Sequence, residues 1–241
     1  MVKNKTLFGL PREVKFCKEC VISNQRPITL VETKHIKDAK KETTFFDENG
    51  ICDPCRWAKI KKQDIDWKKR EEELLILLDK YRSKDGSYDV VVPASGGKDS
   101  IYVAHLLKYK YNMNPLTVTW APHIRTEIGQ KNFDSMIDSG LDNVTVNPNS
   151  KLHKQLTRLA FLNLGHPFQP FIIGQRVVGP KLAIEKNIKL IFYGENVAEY
   201  GNKIKDNFSP LMDTNLISAF DTNNNDLYLS GVNIGYLKKK L

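Results

Sequence analysis

Ser95-Gly96-Gly97-Lys98-Asp99-Ser100 is the run of residues best suited to chemistry in this sequence. An apolar stretch, Tyr88 to Ala94, precedes it and helical spacing from Ile101 to Tyr111 follows, so the run lies where a strand hands over to a helix. Two glycines let the backbone turn tightly and approach a ligand with no Cβ in the way. The helix start offers N–H groups without intrahelical partners and a partial positive charge, which together make a cradle for phosphate. Ser95 and Ser100 add hydroxyl donors, Lys98 adds charge, and Asp99 can cap the helix or hold a metal ion through the phosphates. The plainer reading is a glycine turn with an Asp helix cap; six fitting residues in a row after a strand weigh against it. The run is not a Walker loop, because Asp follows Gly97-Lys98 and residue 92 is Val where that motif needs Gly. It contains no G-x-G-x-x-G either.

Cysteine supplies the second chemistry. The chain has four, as Cys17-x-x-Cys20 and Cys52-x-x-Cys55. Two such knuckles provide the four thiolates that structural zinc prefers, and a strand pair spanning 43–51 can return the second knuckle to the first. Zinc is the expectation, with an iron–sulfur cluster as the lesser alternative. A closed all-thiolate site keeps no open position, so it is expected to stabilise a small module rather than to catalyse. No cysteine follows Cys55, so the rest of the chain offers no Cys nucleophile for glutamine hydrolysis or sulfur relay.

A third candidate is Gly194-Glu195-Asn196-Val197-Ala198-Glu199-Tyr200-Gly201, after the apolar run Leu190 to Tyr193. Glu195 and Glu199 are four apart and share a face if helical, which suits metal or substrate positioning; acidic residues favoured at a helix start are an equally good account. Arg125 and Gln175-Arg176 could grip an acidic substrate, although single arginines are more often surface residues. His123 and His166 sit beside prolines in loop-like contexts and are given no catalytic role.

These residues need a scaffold, and 241 residues with 41% hydrophobic content can build one. Strands are expected at 88–94, 116–120, 144–146 and 189–193, with helices at 67–82, 101–111, 128–139, 152–164 and 172–186. That alternation argues for an α/β protein with a doubly wound open parallel sheet, whose ligand site lies at the carboxyl ends of the strands. The Asn-rich stretch 221–226 reads as a turn, and no finishing element is evident after it. Thirty-seven Lys and Arg against 28 Asp and Glu give a formal charge of +9, which favours polyanionic partners or is simply solvated lysine. No apolar run is long enough to cross a bilayer and no secretory signal is evident, so a cytoplasmic protein is expected.

S-G-G-K-D-S after an apolar strand resembles the pyrophosphate loop of the N-type ATP pyrophosphatases, the PP-loop superfamily, with its adenine nucleotide alpha hydrolase-like, Rossmann-like fold. The likeness covers about residues 86–200. It implies that the backbone at Val118, Thr119 and Trp120 holds adenine. Together with the two knuckles and the G-E-N-V-A-E segment, the chain resembles the N-acetyl sugar amidotransferases of surface-polysaccharide, lipopolysaccharide O-antigen biosynthesis. That resemblance implies a zinc module over 1–62, a connecting helix over 63–85 and a PP-loop domain over 86–241. It implies ATP, Mg2+ and structural Zn2+ as cofactors. Nucleotide contacts would come from Ser95, Gly96, Gly97, Lys98, Asp99, Ser100, Thr119, Trp120 and Gly194, catalytic roles from Lys98, Asp99, Glu195, Asn196 and Glu199, and metal ligation from Cys17, Cys20, Cys52 and Cys55. The implied reaction turns an acetamido group on a nucleotide-linked or acidic sugar into an acetamidino group, with ammonia from a separate glutaminase similar to that of imidazole glycerol phosphate synthase. Family members extend beyond the end of this chain, so an incomplete sugar pocket is expected. A tRNA-modifying thiolase or lysidine-type ligase of the same superfamily, and a non-catalytic scaffold that binds a glutaminase, are the alternatives. Against RNA stands the lack of a dense basic stripe with aromatics along one element.

Overall fold

The computed structural model describes residues 9–28, 42–196, 203–208 and 228–240. Two compact units divide the chain: Met1–Trp67 with Asn196–Leu216, and Lys68–Glu195 with Ile217–Leu241.

The described residues of the first unit form turns, an α-helix and a short 3-10 turn. Isolated antiparallel bridges join Phe16 to Ser23, Pro27 to Thr43 and Phe46 to Cys52. Around Asp47-Glu48-Asn49-Gly50 the chain folds back tightly: Asp47 N–H donates to the Ile51 carbonyl at 3.0 Å, and the Asp47 carboxylate accepts from the N–H groups of Asn49 and Ile51. The turn delivers Cys52 to the start of helix α1 (Asp53–Gln63), with Pro54 in its first turn. Asp53 is buried beside Arg56, and its carboxylate also accepts from Ile204 N–H in the short 3-10 turn Ile204–Phe208.

The second unit is a mixed α/β body around a parallel sheet. Its order is α2 (Trp67–Tyr81), β1 (Val90–Pro93), α3 (Lys98–His105), β2 (Pro115–Trp120), α4 (Glu127–Asp138), β3 (Asp142–Val146), α5 (Ser150–Leu164) and α6 (Gln169–Glu185). A hairpin, β4 (Tyr228–Leu229) and β5 (Val232–Asn233), leads into α7 (Ile234–Lys240). β2 is central, with Val91 opposite Leu116 and Val118 opposite Val144. Strand alternation sends Val90 and Val92 to one face, where they pack with Leu78 of α2, Ala104 of α3 and Met136 of α4. Val91, Leu116 and Val118 face the other way onto Val178, Leu182 and Ala183 of α6. Helices thus cover both faces, which is why β1 reads as a nearly continuous apolar run and even Thr117 and Thr119 of β2 are buried.

Four local departures from the sequence expectation have physical causes. The stripe on α2 is narrower than its periodicity implies, because Leu74, Leu78 and Tyr81 meet the core while Trp67 and Leu75 stay exposed. Helix α3 widens into a π turn over Leu106–Lys110, closed by Tyr111 N–H to the Leu106 carbonyl. Residues 189–193 do not form a strand of their own. They pair with the free side of β1 by one parallel bridge, Val91 to Ile191, through Val91 N–H to Leu190 and Phe192 N–H to Val91, both at 2.9 Å. The next rung would need an N–H from residue 93, which is proline. Last, a finishing element exists: Ser230 N–H donates to Gln169 Oε1 at 3.1 Å and Asn163 Nδ2 donates to the Ser230 carbonyl at 3.0 Å, pinning the hairpin to α5 and α6. Residues 221–226 and Glu199 lie outside the described residues.

Candidate metal centre and phosphate site

The two knuckles meet. The four cysteine Sγ atoms lie within 4.8 Å of one another, with Cys17 to Cys55 at 3.9 Å and Cys20 to Cys52 at 3.6 Å. Zinc–sulfur bonds of about 2.3 Å in a tetrahedron put sulfurs about 3.8 Å apart, so the cluster could hold a metal ion and its donor set and spacing fit zinc. Backbone N–H groups of Glu19 and Cys52 point at Cys17 Sγ at 3.4 and 3.3 Å, and that of Ile22 points at Cys20 Sγ at 3.5 Å. Burial works to raise the Cys17 thiol, yet the N–H groups of Cys52 and Glu19 hold it down to about 6. Burial lifts Cys52 to about 11, and Cys55 rises further through burial and its contacts with Cys20 and Cys52. One sulfur is therefore ready to ionise while Cys52 and Cys55 resist, and a bound dication would favour their thiolate forms.

At the carboxyl end of β1 the chain leaves through Ala94, whose N–H donates to Val118 and whose carbonyl accepts from the buried Thr119 hydroxyl at 2.5 Å. Thr119 thereby ties the root of the loop to β2. Gly96 has φ +95, and a Cβ there would stand 3.0 Å from the backbone N of Phe133 in α4. Only glycine fits both constraints. Gly97 caps α3 in an extended conformation, Ser100 Oγ donates to its carbonyl at 3.2 Å, and Ile101 N–H closes the first helical hydrogen bond onto it. The N–H groups of Lys98, Asp99 and Ser100 then have no partner within the helix. Ser95, Gly97, Lys98 and Asp99 are exposed, and Lys98 Nζ pairs with Asp99 Oδ1 at 2.6 Å.

Gly194 arrives beside this helix start. A Cβ on it would lie 2.6 Å from the Ser100 N and 2.8 Å from its Cα, so the chain after Ile191 runs against the first turn of α3. Glu195 and Asn196 follow, both exposed. The ring hydroxyl of Tyr193 is made less acidic, first by burial and then by the Glu195 charge. The structure therefore gathers Ser95 to Ser100, Thr119 and Gly194 at one end of the sheet, beside the point where the chain crosses from β3 to the far side of β1. In open α/β sheets such a crossover leaves a crevice at the carboxyl strand ends. The Arg125 guanidinium lies over the Phe133 ring, 4.0 Å from its centroid, and so backs the same helix that abuts Gly96.

Trp120 behaves differently. Its indole turns to the α6 face and lies against Gly174, where a Cβ would come within 2.2 Å of it. There it joins His153 and Phe171, with His123 edge-on to the His153 ring at 4.5 Å between centroids. Sequence reasoning passed over His153. The signal was present in helical spacing, since 153, 156 and 160 share the buried face of α5.

No family model matches the chain. Over 78 residues it is 31% identical to an uncharacterized protein of Methanocaldococcus jannaschii, a stretch that makes up 32% of this chain and 27% of that protein. The chain thus spans about a quarter of the length of the curated relative it matches. No helix among the described residues is long and apolar enough to cross a membrane.

Proposed function

We propose that the chain is a cytoplasmic ATP-dependent amidotransferase that converts an acetamido group on a nucleotide-linked or acidic sugar to an acetamidino group. The observation that carries this reading is the Ser95-to-Ser100 loop at the carboxyl end of β1, with Gly194 against the first turn of its helix. Support for a doubly wound PP-loop sheet comes from parallel strands with helices on both faces and from the crossover beside β1. Orphan N–H groups of the loop and helix start would hold the phosphates of ATP, with Lys98 adding charge. Asp99 and, beyond the loop, Glu195 and Asn196 are the groups offered to Mg2+ and to the reacting amide. Mg2+ would supply charge neutralisation on the phosphates.

The reaction balances as amide plus ATP plus ammonia giving amidine, AMP and pyrophosphate. The amide oxygen attacks the α-phosphorus and pyrophosphate leaves; ammonia then adds to the imidate carbon and AMP departs with the former amide oxygen. An amide oxygen is a poor leaving group and AMP a good one, so the loop's task is to orient the triphosphate and stabilise developing charge. Ammonia would come from a separate glutaminase, because no cysteine follows Cys55. The zinc module has a structural part in this reading.

The test is to incubate the full chain with ATP, Mg2+, ammonium and UDP-linked acetamido sugars, following AMP and the slightly lighter amidine product. AMP formed only when tRNA is added would replace the sugar reading by the RNA-modifying one. No AMP with any substrate, together with capture of a glutaminase, would leave a scaffold.

A further inference from the structure

Beyond the phosphate loop, the carboxyl end of the sheet carries a second polar feature that the loop does not use. Trp120 is the last residue of β2, and its indole is seated on the backbone of α6 at Gly174. Trp120 Nε1 and His153 Nε2 are both buried and have no hydrogen-bond partner among the described residues. His153 is 6% exposed, and its other ring nitrogen lies 3.4 Å from the Thr157 hydroxyl. The Phe171 and His123 rings complete the wall, 5.0 Å apart. Buried polar groups are ordinarily hydrogen-bonded, so two orphans in one aromatic cluster at the carboxyl end of β2 call for an occupant.

The chemistry of the wall selects that occupant. An indole N–H only donates. Burial, and then the neighbouring His123, hold His153 in its neutral form, in which Nε2 accepts when Nδ1 carries the proton toward Thr157 Oγ1. Trp120 and Phe171 carry no charge and burial disfavours one on His153, so these three side chains offer little to replace the water around a phosphate or carboxylate. A secondary amide with a methyl group has one acceptor for the indole N–H, one donor for the imidazole, and an apolar end for the Phe171 ring.

We propose that Trp120, His153, Phe171 and His123 form the subsite that binds the acetamido group of the acceptor. The inference rests on the amidotransferase reading for its substrate class. It is separate from the backbone at Val118 to Trp120, which that reading gives to adenine.

The test uses the zinc-loaded full chain carrying 15N-labelled tryptophan, with the Trp120 indole signal assigned by its loss in Trp120→Phe. Methyl N-acetylglucosaminide should move the Trp120 indole N–H resonance in a saturable way, while methyl glucoside, which lacks the amide, should not. In His153→Phe the affinity should fall about tenfold, the loss of one net hydrogen bond. Equal response to both glycosides, no response to either, or unchanged affinity in His153→Phe would overturn the subsite. If that variant does not fold, the comparison of the two glycosides on the wild type decides alone. Amide-dependent movement without AMP formation in any substrate screen would retain the subsite and sink the amidotransferase. AMP formation without such movement would do the reverse.

Discussion

Lys98 and Asp99 pair on an open surface, with side chains 88% and 62% exposed, and such a pair contributes little to stability. Asp99→Ala should therefore keep the unfolding free energy from urea titration within about 0.5 kcal/mol of wild type while pyrophosphate release stops. Zinc content measured on the same sample should be unchanged, and its loss would trace the defect to folding. The glycines of the site behave otherwise. Gly96→Ala must hold a Cβ at φ +95 against the backbone of Phe133, and a destabilisation of about 1–3 kcal/mol is expected in the same urea assay. Gly194→Ala meets Ser100 N at 2.6 Å, a closer backbone clash than that at Gly96, and has to push the start of α3 away, so it should weaken ATP binding and lower stability as well.

Thr119 shows how an element carries the site. Its hydroxyl donates to the Ala94 carbonyl and accepts from Asn143 Nδ2 at 2.9 Å, so one side chain links β3, β2 and the root of the loop. Thr119→Val keeps the shape and takes the hydroxyl donor from the Ala94 carbonyl, while Asn143 Nδ2 keeps Thr117 Oγ1 at 2.9 Å; a loss of about 1–3 kcal/mol by urea unfolding is expected, together with weaker ATP binding. Much of this scaffold is legible in sequence, because β1 is apolar throughout, β2 is rich in β-branched residues and α4, α5 and α6 keep helical spacing. Pairing is less legible. The run at 189–193 looks like any buried strand, and its reduction to one bridge follows from Pro93 on a neighbouring segment, which no local window includes. The hairpin after Tyr228 has two-residue strands, too short to show alternation, and is fixed by Asn163 and Gln169 from far along the chain. Within the site the loop announces itself by composition, whereas His153 hides inside an ordinary amphipathic pattern.

At the scale of the whole molecule, the two compact units divide the labour that the sequence assigns to knuckles and loop. Among its described residues the first has turns, the helix α1 and four converging thiols in place of a sheet, so metal should supply much of its stability. A zinc chelator should remove one calorimetric transition and leave that of the sheet-bearing unit in place. Protons compete with metal for the sulfurs: with Cys17 held to about 6 and Cys52 lifted to about 11, zinc uptake at neutral pH must expel protons mainly from the raised thiols. Zinc affinity should then climb with pH from about 6 towards about 11, readable by competition with a chromophoric chelator. The central claim concerns the other unit, that ATP phosphates rest on the loop between β1 and α3. Titration calorimetry of Mg-ATP into the full zinc-loaded chain, wild type beside Gly194→Ala, tests it most directly. The account predicts saturable heat for the wild type and at least about tenfold weaker binding for the variant; no heat from the wild type, or equal affinity in both, would contradict it.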